Sequence, residues 1–417
     1  MIHCRYGTTL SIVFGLAILS AVCADGFAAD KPGVVGLGPD GPALERVVID
    51  ADFPGAYQVE IADVNGDGKP DIVALGSGSV AWYENPTWIK QVVSDPMTSP
   101  GVISTATRDI DGDGKAEIAI AYEFEMNVPA KGKLLIARQG EKGWTYEKLG
   151  DFPSIHRLRW GDFDGDGKAD LVVAPIFGAT TKPPAFQGQG ANLVVLFGDA
   201  NLRMDGPEDR RFRNRVIDRL PVMHAIAVVR WTDTSRDEIL SATNNGLSIH
   251  RDMAHVEHPN WASKRLSRGA QGTAPKIGAS EVHLGKLADG RKFLAAIEPW
   301  HGTDVTVVVE KELQGDPYLE NFVEKQVLDT SLIDGHALCV ADIDGDGTDE
   351  VFAGYRGKGT SVIGYRRVGD AWQRYVIDDT IAAQDLRSGD VDGDGHPDVV
   401  AVGGATKNVM LYRTVRP

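Results

Sequence analysis

Three histidines recur at one position of a repeated sequence pattern, and clustered imidazoles can bind a transition metal or transfer protons near neutral pH. His156 lies six residues before the acidic segment "DFDGDGKAD" (162–170), and His336 lies six residues before "DIDGDGTDE" (342–350). His224 lies six residues before a degenerate copy of the same pattern. Because each histidine has the same place in its repeat, we expect the folded chain to bring the three imidazoles together.

The acidic segments carry a second chemistry, because their oxygen-bearing residues occupy positions 1, 3, 5, 7 and 9. This spacing, with glycines that permit a tight turn, suits a hard cation that takes six or more oxygen ligands. An EF-hand loop would need a glutamate at position 12, where the third segment has Val173, so that type of loop is excluded. We therefore expect up to five structural Ca²⁺ sites. Their ligands would be Asp63, Asn65, Asp67, Lys69 and Asp71; Asp109, Asp111, Asp113, Lys115 and Glu117; Asp162, Asp164, Asp166, Lys168 and Asp170; Asp342, Asp344, Asp346, Thr348 and Glu350; and Asp390, Asp392, Asp394, His396 and Asp398.

Two further copies of the segment are eroded, at 230–238 and 286–292. Arg230 and Lys286 replace the first acidic ligand there, so we expect solvated turns rather than cation sites. Counting these two, the segment recurs about every 50 residues and is followed each time by a short apolar strand, which is the signature of a β-propeller.

A second repeat predicts how the ring closes. Seven strand-like tails such as "QRYVID" (373–378) accompany the seven loops, but the first tail, "ERVVID" (45–50), precedes the first loop. We expect this N-terminal tail to become the outer strand of the last blade, which leaves the ring closed. The predicted fold is all-β: a seven-bladed propeller of four-stranded blades with calcium-binding loops.

Composition and the N-terminus limit the class of protein. A net charge of −16 argues against nucleic acid as a partner. Residues 1–24 are typical of a cleaved secretory signal, with an uncleaved anchor as the alternative, so we predict a periplasmic or secreted protein without a transmembrane anchor after cleavage. Residues 25–42 then form a linker, and 43–417 form the propeller. The mature chain keeps only Cys339, so no internal disulfide can staple the fold, and the sequence leaves the oligomeric state open.

Other polar residues should join the three histidines at one mouth of the central channel. The inner strands of two other blades place Tyr57 and Gln384 at the histidine level, and loops between second and third strands supply Glu298, Trp300, His301 and Tyr355. Arg157 and Arg159 follow the first histidine along its strand. They are either strand-face salt bridges or ligands for an anionic oxygen.

The repeats resemble the FG-GAP/VCBS family, which forms propellers with calcium loops between the first and second strands of each blade. This resemblance covers nearly the whole mature chain, but propellers of this family serve as adhesins, enzymes and scaffolds.

A closer resemblance, to the propeller domain of aldos-2-ulose dehydratases, includes the histidine positions. It rests on "VAWYENPTW" (80–88), "SIHRLRWGDF" (154–163), "VVAPI" (172–176), "MHAIAVV" (223–229), "EPWHGTDVTVV" (298–308) and "GHALCVADIDGDGTDE" (335–350). The resemblance implies a lyase that acts on a small keto-sugar or oxidised glycoside by β-elimination. The alternatives are a non-catalytic propeller that binds glycans or proteins, and a hydrolase or lyase for uronic-acid polysaccharides.

In the lyase interpretation each residue has a role. His156, His224 and His336 form the base or hold a divalent transition metal such as Zn²⁺, and Arg157 steadies the enolate. His301, oriented by Glu298, is the acid. Substrate contacts would come from Tyr57, Arg159, Trp300, Tyr355 and Gln384, with Trp300 stacked on a sugar face.

Overall fold

The computed structural model describes residues 33–186, 188–198, 212–231, 235–253, 261–313, 322 and 325–415. The predicted signal, 1–24, and the first part of the predicted linker lie outside these residues. The described part of the chain consists of strands and loops without an α-helix, and so contains no helix long and apolar enough to cross a membrane.

The strands form seven antiparallel sheets, one for each blade of a seven-bladed propeller. Blades 1 to 3 contain β3 (Ala56–Ala62), β4 (Asp71–Gly76), β5 (Ser79–Glu84) and β6 (Ile89–Ser94); β7 (Ser104–Arg108), β8 (Glu117–Tyr122), β9 (Lys133–Gly140) and β10 (Gly143–Asp151); and β11 (Ile155–Gly161), β12 (Asp170–Pro175), β13 (Ala191–Gly198) and β14 (Phe212–Leu220). Blades 4 and 5 contain β15 (Met223–Val229), β16 (Glu238–Thr243), β17 (Gly246–Asp252) and β18 (Trp261–Ser267); and β19 (Glu281–Lys286), β20 (Lys292–Glu298), β21 (Asp304–Val309) and β22 (Gln326–Asp329).

Blade 6 contains β23 (Gly335–Ala341), β24 (Glu350–Tyr355), β25 (Ser361–Val368) and β26 (Ala371–Asp378). Blade 7 contains β27 (Ala383–Gly389), β28 (Asp398–Gly403) and β29 (Asn408–Val415), and its outer strand is β2 (Ala43–Asp50). The predicted closure is confirmed, because β2 pairs with β29 along its length. The segment predicted as a linker also contributes β1 (Val34–Gly36), which pairs with the outer edge of β2 as a fifth strand.

The core lies between the blades rather than at the centre of the ring. Each pair of adjacent blades buries one apolar cluster, such as Phe163, Leu193 and Ile226 between blades 3 and 4. Second strands such as β12 and β24 are buried along their whole length, which explains their near-continuous apolar sequences. The inner strands contact one another in ring order, so their side chains line a central channel.

The acidic loops connect the first and second strands of their blades. In the third loop the backbone N–H groups of Gly165 and Gly167 donate to Asp162, while Asp170 accepts from Phe163. Both glycines have positive φ, of 78° and 82°, which a residue with a side chain adopts at a cost. In four loops three carboxylates bring their oxygens within 4.8 Å of one another; these are Asp109, Asp111 and Glu117; Asp162, Asp164 and Asp170; Asp342, Asp344 and Glu350; and Asp390, Asp392 and Asp398.

Candidate active site

The residues predicted to share one level of the channel do so, and each stands at a β-bulge. The pairing of inner and second strands slips by one residue at Tyr57, His156, His224, His336 and Gln384. A bulge leaves its extra residue unpaired and re-aims that side chain. Here it turns the five side chains towards the channel end that we call the histidine mouth, opposite the acidic loops.

Each inner-strand histidine is fixed by the next blade. Nδ1 of His156 lies 3.1 Å from the carbonyl oxygen of His224, and Nδ1 of His224 lies 2.9 Å from that of Ser280. Nδ1 of His336 lies 2.6 Å from the carbonyl oxygen of Gln384. A carbonyl only accepts, so in all three neutral rings Nδ1 carries the proton and Nε2 presents a lone pair.

The environment keeps these rings neutral. Burial, reinforced by the positive charge of Arg157, lowers the pKa of His156 and of His224 well below the usual value. Burial also lowers the pKa of His336 well below the usual value, and the positive charge of Arg356 adds to the effect. Burial lowers the pKa of His301 to about 3. The histidine mouth therefore holds four uncharged imidazoles at neutral pH.

His224, His301 and His336 form a group with ligand nitrogens within 4.8 Å of one another. Nε2 of His301 lies 3.0 Å from Nε2 of His224, and the buried Nε2 of His336 has no hydrogen-bond partner. Three convergent imidazole nitrogens, one of them buried and unpaired, fit a divalent transition metal. The sequence interpretation put His156 in this group instead of His301. The loop after β20 carries His301 to the ligand nitrogens of His224 and His336, and the repeat pattern does not predict the conformation of that loop.

His156 faces a different pair of groups. Its Nε2 lies 3.1 Å from the hydroxyl of Tyr57 and 3.2 Å from Nη1 of Arg157, and that guanidinium also stacks 5.3 Å from the Tyr57 ring centre. Nη2 of Arg157 lies 4.0 Å from Oε1 of Glu281, which is 8% exposed, and the same oxygen lies 3.2 Å from Nδ1 of His224. The Arg157 guanidinium therefore contacts both the Glu281 carboxylate and the His156 imidazole.

Glu298 does not orient His301, contrary to the sequence-based expectation. The Glu298 carboxylate is buried, accepts from Lys325 at 2.6 Å and from Thr306 at 3.3 Å, and points into its own blade. Glu298 is the last residue of β20, and both side-chain partners of its carboxylate belong to blade 5. The carboxylate beside Nδ1 of His301 is that of Asp334, whose Oδ1 lies 3.2 Å away.

Two predicted substrate contacts lie inside the protein. Trp300 is 5% exposed and packs against Phe177 in an apolar cluster beside the histidine mouth, so little of its ring is open to a sugar. Tyr355 is buried between blades and donates to the carbonyl of Gly359. Gln384 is at the mouth and accepts from Arg356 at 2.9 Å.

Arg159 lies deeper in the channel than the histidines. Its guanidinium contacts Glu60 at 3.3 Å, and Arg387 lies 3.7 Å from the same carboxylate oxygen. Burial and the nearby Arg387 charge lower the pKa of Arg159 to about 10. For Arg159 the salt-bridge alternative is therefore the one that the contacts match.

Sequence reasoning missed Asp334 and Glu281 as neighbours of the histidines. Asp334 lies two residues before His336 and Glu281 lies one residue after Ser280, so the repeat register itself was a usable signal. Their partners come from other blades, and a single sequence does not show those contacts.

Comparison with known proteins relates the chain to two families. Residues 132–311 match the β-propeller domain of aldos-2-ulose dehydratase, and residues 63–120 match an FG-GAP-like repeat. An aldos-2-ulose dehydratase from Phanerodontia chrysosporium is 22% identical over 358 residues, which cover 76% of this chain but 38% of that protein. Integrin alpha-V from Gallus gallus is 27% identical over 146 residues, 30% of this chain and 14% of the integrin.

A solved structure shares the fold at low identity. A Bacteroides uniformis protein described as a candidate 6-phosphogluconolactonase superposes with a TM-score of 0.51 and 11% identity, over 87% of this chain and 96% of that one. This likeness supports the propeller architecture alone.

Proposed function

We propose that this FG-GAP-repeat β-propeller, which resembles the propeller domain of aldos-2-ulose dehydratase, is a periplasmic or secreted carbohydrate lyase. It would act by β-elimination on a small keto-sugar or oxidised glycoside. The observation that carries the proposal is the position of His156, a buried neutral imidazole with its lone pair beside Tyr57 and Arg157 and next to the group of His224, His301 and His336.

The chemistry starts from the ketone, which acidifies the neighbouring C–H bond. Nε2 of His156 takes that proton, and the electron pair forms an enolate whose negative oxygen is stabilised by the Arg157 guanidinium. The electrons then return from the enolate oxygen to restore the ketone and form the C=C bond, while the β-hydroxyl takes the proton held by Nε2 of His156 and leaves as water. Tyr57, hydrogen-bonded to the base, is placed to hold the reacting hydroxyl in position.

A divalent metal such as Zn²⁺ fits the remaining histidines. His224, His301 and His336 would hold it, and it would supply Lewis-acid polarisation of the ketone oxygen. The four neutral rings favour this proposal, because only an unprotonated nitrogen can be a ligand.

Calcium is proposed for the five intact acidic loops. The three-carboxylate groups of four of these loops and the donor spacing of all five support it, and the role would be structural because the loops lie at the channel end away from the histidines.

The test is elimination itself. The protein, loaded with Ca²⁺ and Zn²⁺, is incubated with a panel of 2-keto and 3-keto sugars while ultraviolet absorbance reports a conjugated enone. We expect a rise with at least one sugar, and a loss of at least about 10³-fold in His156→Ala. His396→Ala is the matched control, since this histidine lies in an exposed acidic loop and would give only its backbone carbonyl to calcium.

Failure has a definite meaning in this assay. If folded, metal-loaded protein produces no enone from any sugar, a non-catalytic glycan-binding propeller replaces the lyase. If His156→Ala keeps full activity, elimination stands but His156 is not its base.

A further inference from the structure

We infer that Asp334 and Arg356 together determine which ring nitrogen of His301 carries the proton, and that Asp334 is the positioning residue that makes His301 a metal ligand. This inference rests on the metal group proposed above. It concerns the proton on a ligand rather than the identity of the metal.

Nδ1 of His301 has one donor and one acceptor beside it. Nη2 of Arg356 lies 2.9 Å away, and Oδ1 of Asp334 lies 3.2 Å away. A guanidinium only donates and a carboxylate only accepts, so the two neighbours favour opposite tautomers of the ring. Arg356 also donates its Nε to Asp334 at 2.8 Å, which holds both groups against the same nitrogen.

The other nitrogen of His301 explains why the choice matters. Nε2 lies 3.0 Å from Nε2 of His224, which can only accept because its own Nδ1 proton goes to the carbonyl of Ser280. In one arrangement Nε2–H of His301 donates to His224 while Arg356 donates to Nδ1. In the other, Nδ1–H donates to Asp334 and the lone pair of Nε2 becomes available as a ligand.

His301 differs in this respect from the two other members of the group. Nδ1 of His224 and of His336 lies beside a backbone carbonyl of the next blade, and Glu281 is a second acceptor 3.2 Å from Nδ1 of His224, so both tautomers are fixed with the proton on Nδ1. His301 lies on a loop and has no such carbonyl. A carboxylate paired with the outer nitrogen of a ligating histidine fixes its tautomer and orientation.

The position of Asp334 in the repeat shows that its side chain is not required by the backbone. It has a φ of 61°, and the equivalent repeat position, eight residues before the first position of the acidic segment, is glycine in blades 1, 2 and 5, where Gly55, Gly101 and Gly278 have φ between 59° and 71°. A residue with a Cβ is disfavoured in this region, although aspartate tolerates it better than most. The carboxylate is therefore placed where the turn itself would favour glycine.

The test measures Zn²⁺ affinity by competition with a chromogenic chelator, with Ca²⁺ kept saturating so that the acidic loops do not compete. We expect Asp334→Asn to bind Zn²⁺ about 10- to 100-fold more weakly than the unmodified protein. Asp334→Gly should weaken binding at least as much while the protein stays folded, because glycine suits the backbone conformation.

The matched control is Asp329→Asn in the same blade connection. Asp329 makes the same type of contact, 2.8 Å to Nε of Arg374, but points towards Tyr365 and away from the histidine mouth. Its substitution should lower stability and leave Zn²⁺ affinity unchanged.

A second readout follows the proton directly. Nitrogen-15 NMR of the histidine rings should show His301 as the Nδ1–H tautomer in the Zn²⁺-loaded protein and as the Nε2–H tautomer after chelation. Equal Zn²⁺ affinity in Asp334→Asn and the unmodified protein, or one tautomer in both conditions, would overturn the inference. If the unmodified protein binds Zn²⁺ no better than His336→Ala, the metal group itself is wrong and the inference falls with it.

Discussion

At the scale of single residues, the histidines of the mouth differ in role because Nε2 of each ring faces different partners. His156 and His224 occupy the same repeat position, yet Nε2 of His156 faces Tyr57 and Arg157 while that of His224 faces His301. The partner across the channel, rather than the histidine itself, separates a candidate base from a candidate ligand.

Glu298→Gln tests the revised position of that carboxylate. Since Glu298 pairs with Lys325 inside its blade, the substitution leaves a half-buried ammonium without its charge partner and should cost about 1–3 kcal/mol of unfolding free energy. Elimination activity and Zn²⁺ affinity, measured well below the unfolding temperature, should change less than about twofold. A large loss of activity in folded protein would restore Glu298 to the site.

Sequence spacing was enough to predict the level of His156, His224 and His336, because a repeat transfers position from blade to blade. It could not assign His301 to the ligand group or pair it with Asp334. That contact depends on the conformation of the loop after β20 and on the turn of the next blade. Sequence spacing also could not predict the burial of Trp300, because Phe177 and Phe186, which cover it, come from blade 3.

At the scale of elements, the acidic loop is a device that concentrates carboxylates at the start of a buried strand. Its ninth position is the first residue of the second strand, so Asp170 and Glu350 are buried there beside the other loop carboxylates. The sequence predicted these loops and their strands well, because ligand spacing and apolar runs are local properties. The sequence did not predict β1, because a strand of three residues is too short to show an alternating hydrophobic pattern.

Without calcium, the stability of the protein should fall as pH rises. Burial, with repulsion from neighbouring carboxylates, raises the pKa of Asp170 and of Glu117 to about 7 and that of Glu350 to about 9. These folded values exceed the unfolded ones, so the stability they contribute is present near pH 4 and is lost as pH rises towards 9.

In EGTA the melting temperature should therefore fall by at least about 5 °C between pH 5.5 and 8.5. With saturating Ca²⁺ the cation's charge removes the penalty, and the fall should disappear. Differential scanning calorimetry at four conditions decides the matter, and a pH-independent melting temperature in EGTA would contradict the argument.

At the scale of the whole molecule, stability depends on closing the ring, because each interface between adjacent blades buries an apolar cluster. β2 completes blade 7 by pairing with β29 and buries Leu44 in the cluster between blades 6 and 7. The seven-bladed count and this closure followed from the sequence, since seven tails and seven loops were out of phase by one.

Removal of β2 tests the closure. A variant that begins at residue 51 lacks β1 and β2 and leaves β29 as an open edge with Tyr412 uncovered. It should melt at least about 10 °C lower, or aggregate through that edge. A variant that begins at residue 33 keeps both strands and should melt like the full propeller; equal melting of the two variants would show that closure contributes little.

The shared sheet of blade 7 also sets an order in time. Among the described strands β2 is synthesised second and β29 last, so the ring cannot close until the whole propeller has been made. Until then β2 lacks its partner β29, and blade 7 is missing from between blades 6 and 1. If the chain is exported across a membrane, β2 would therefore pair with β29 only after transport, on the far side of that membrane.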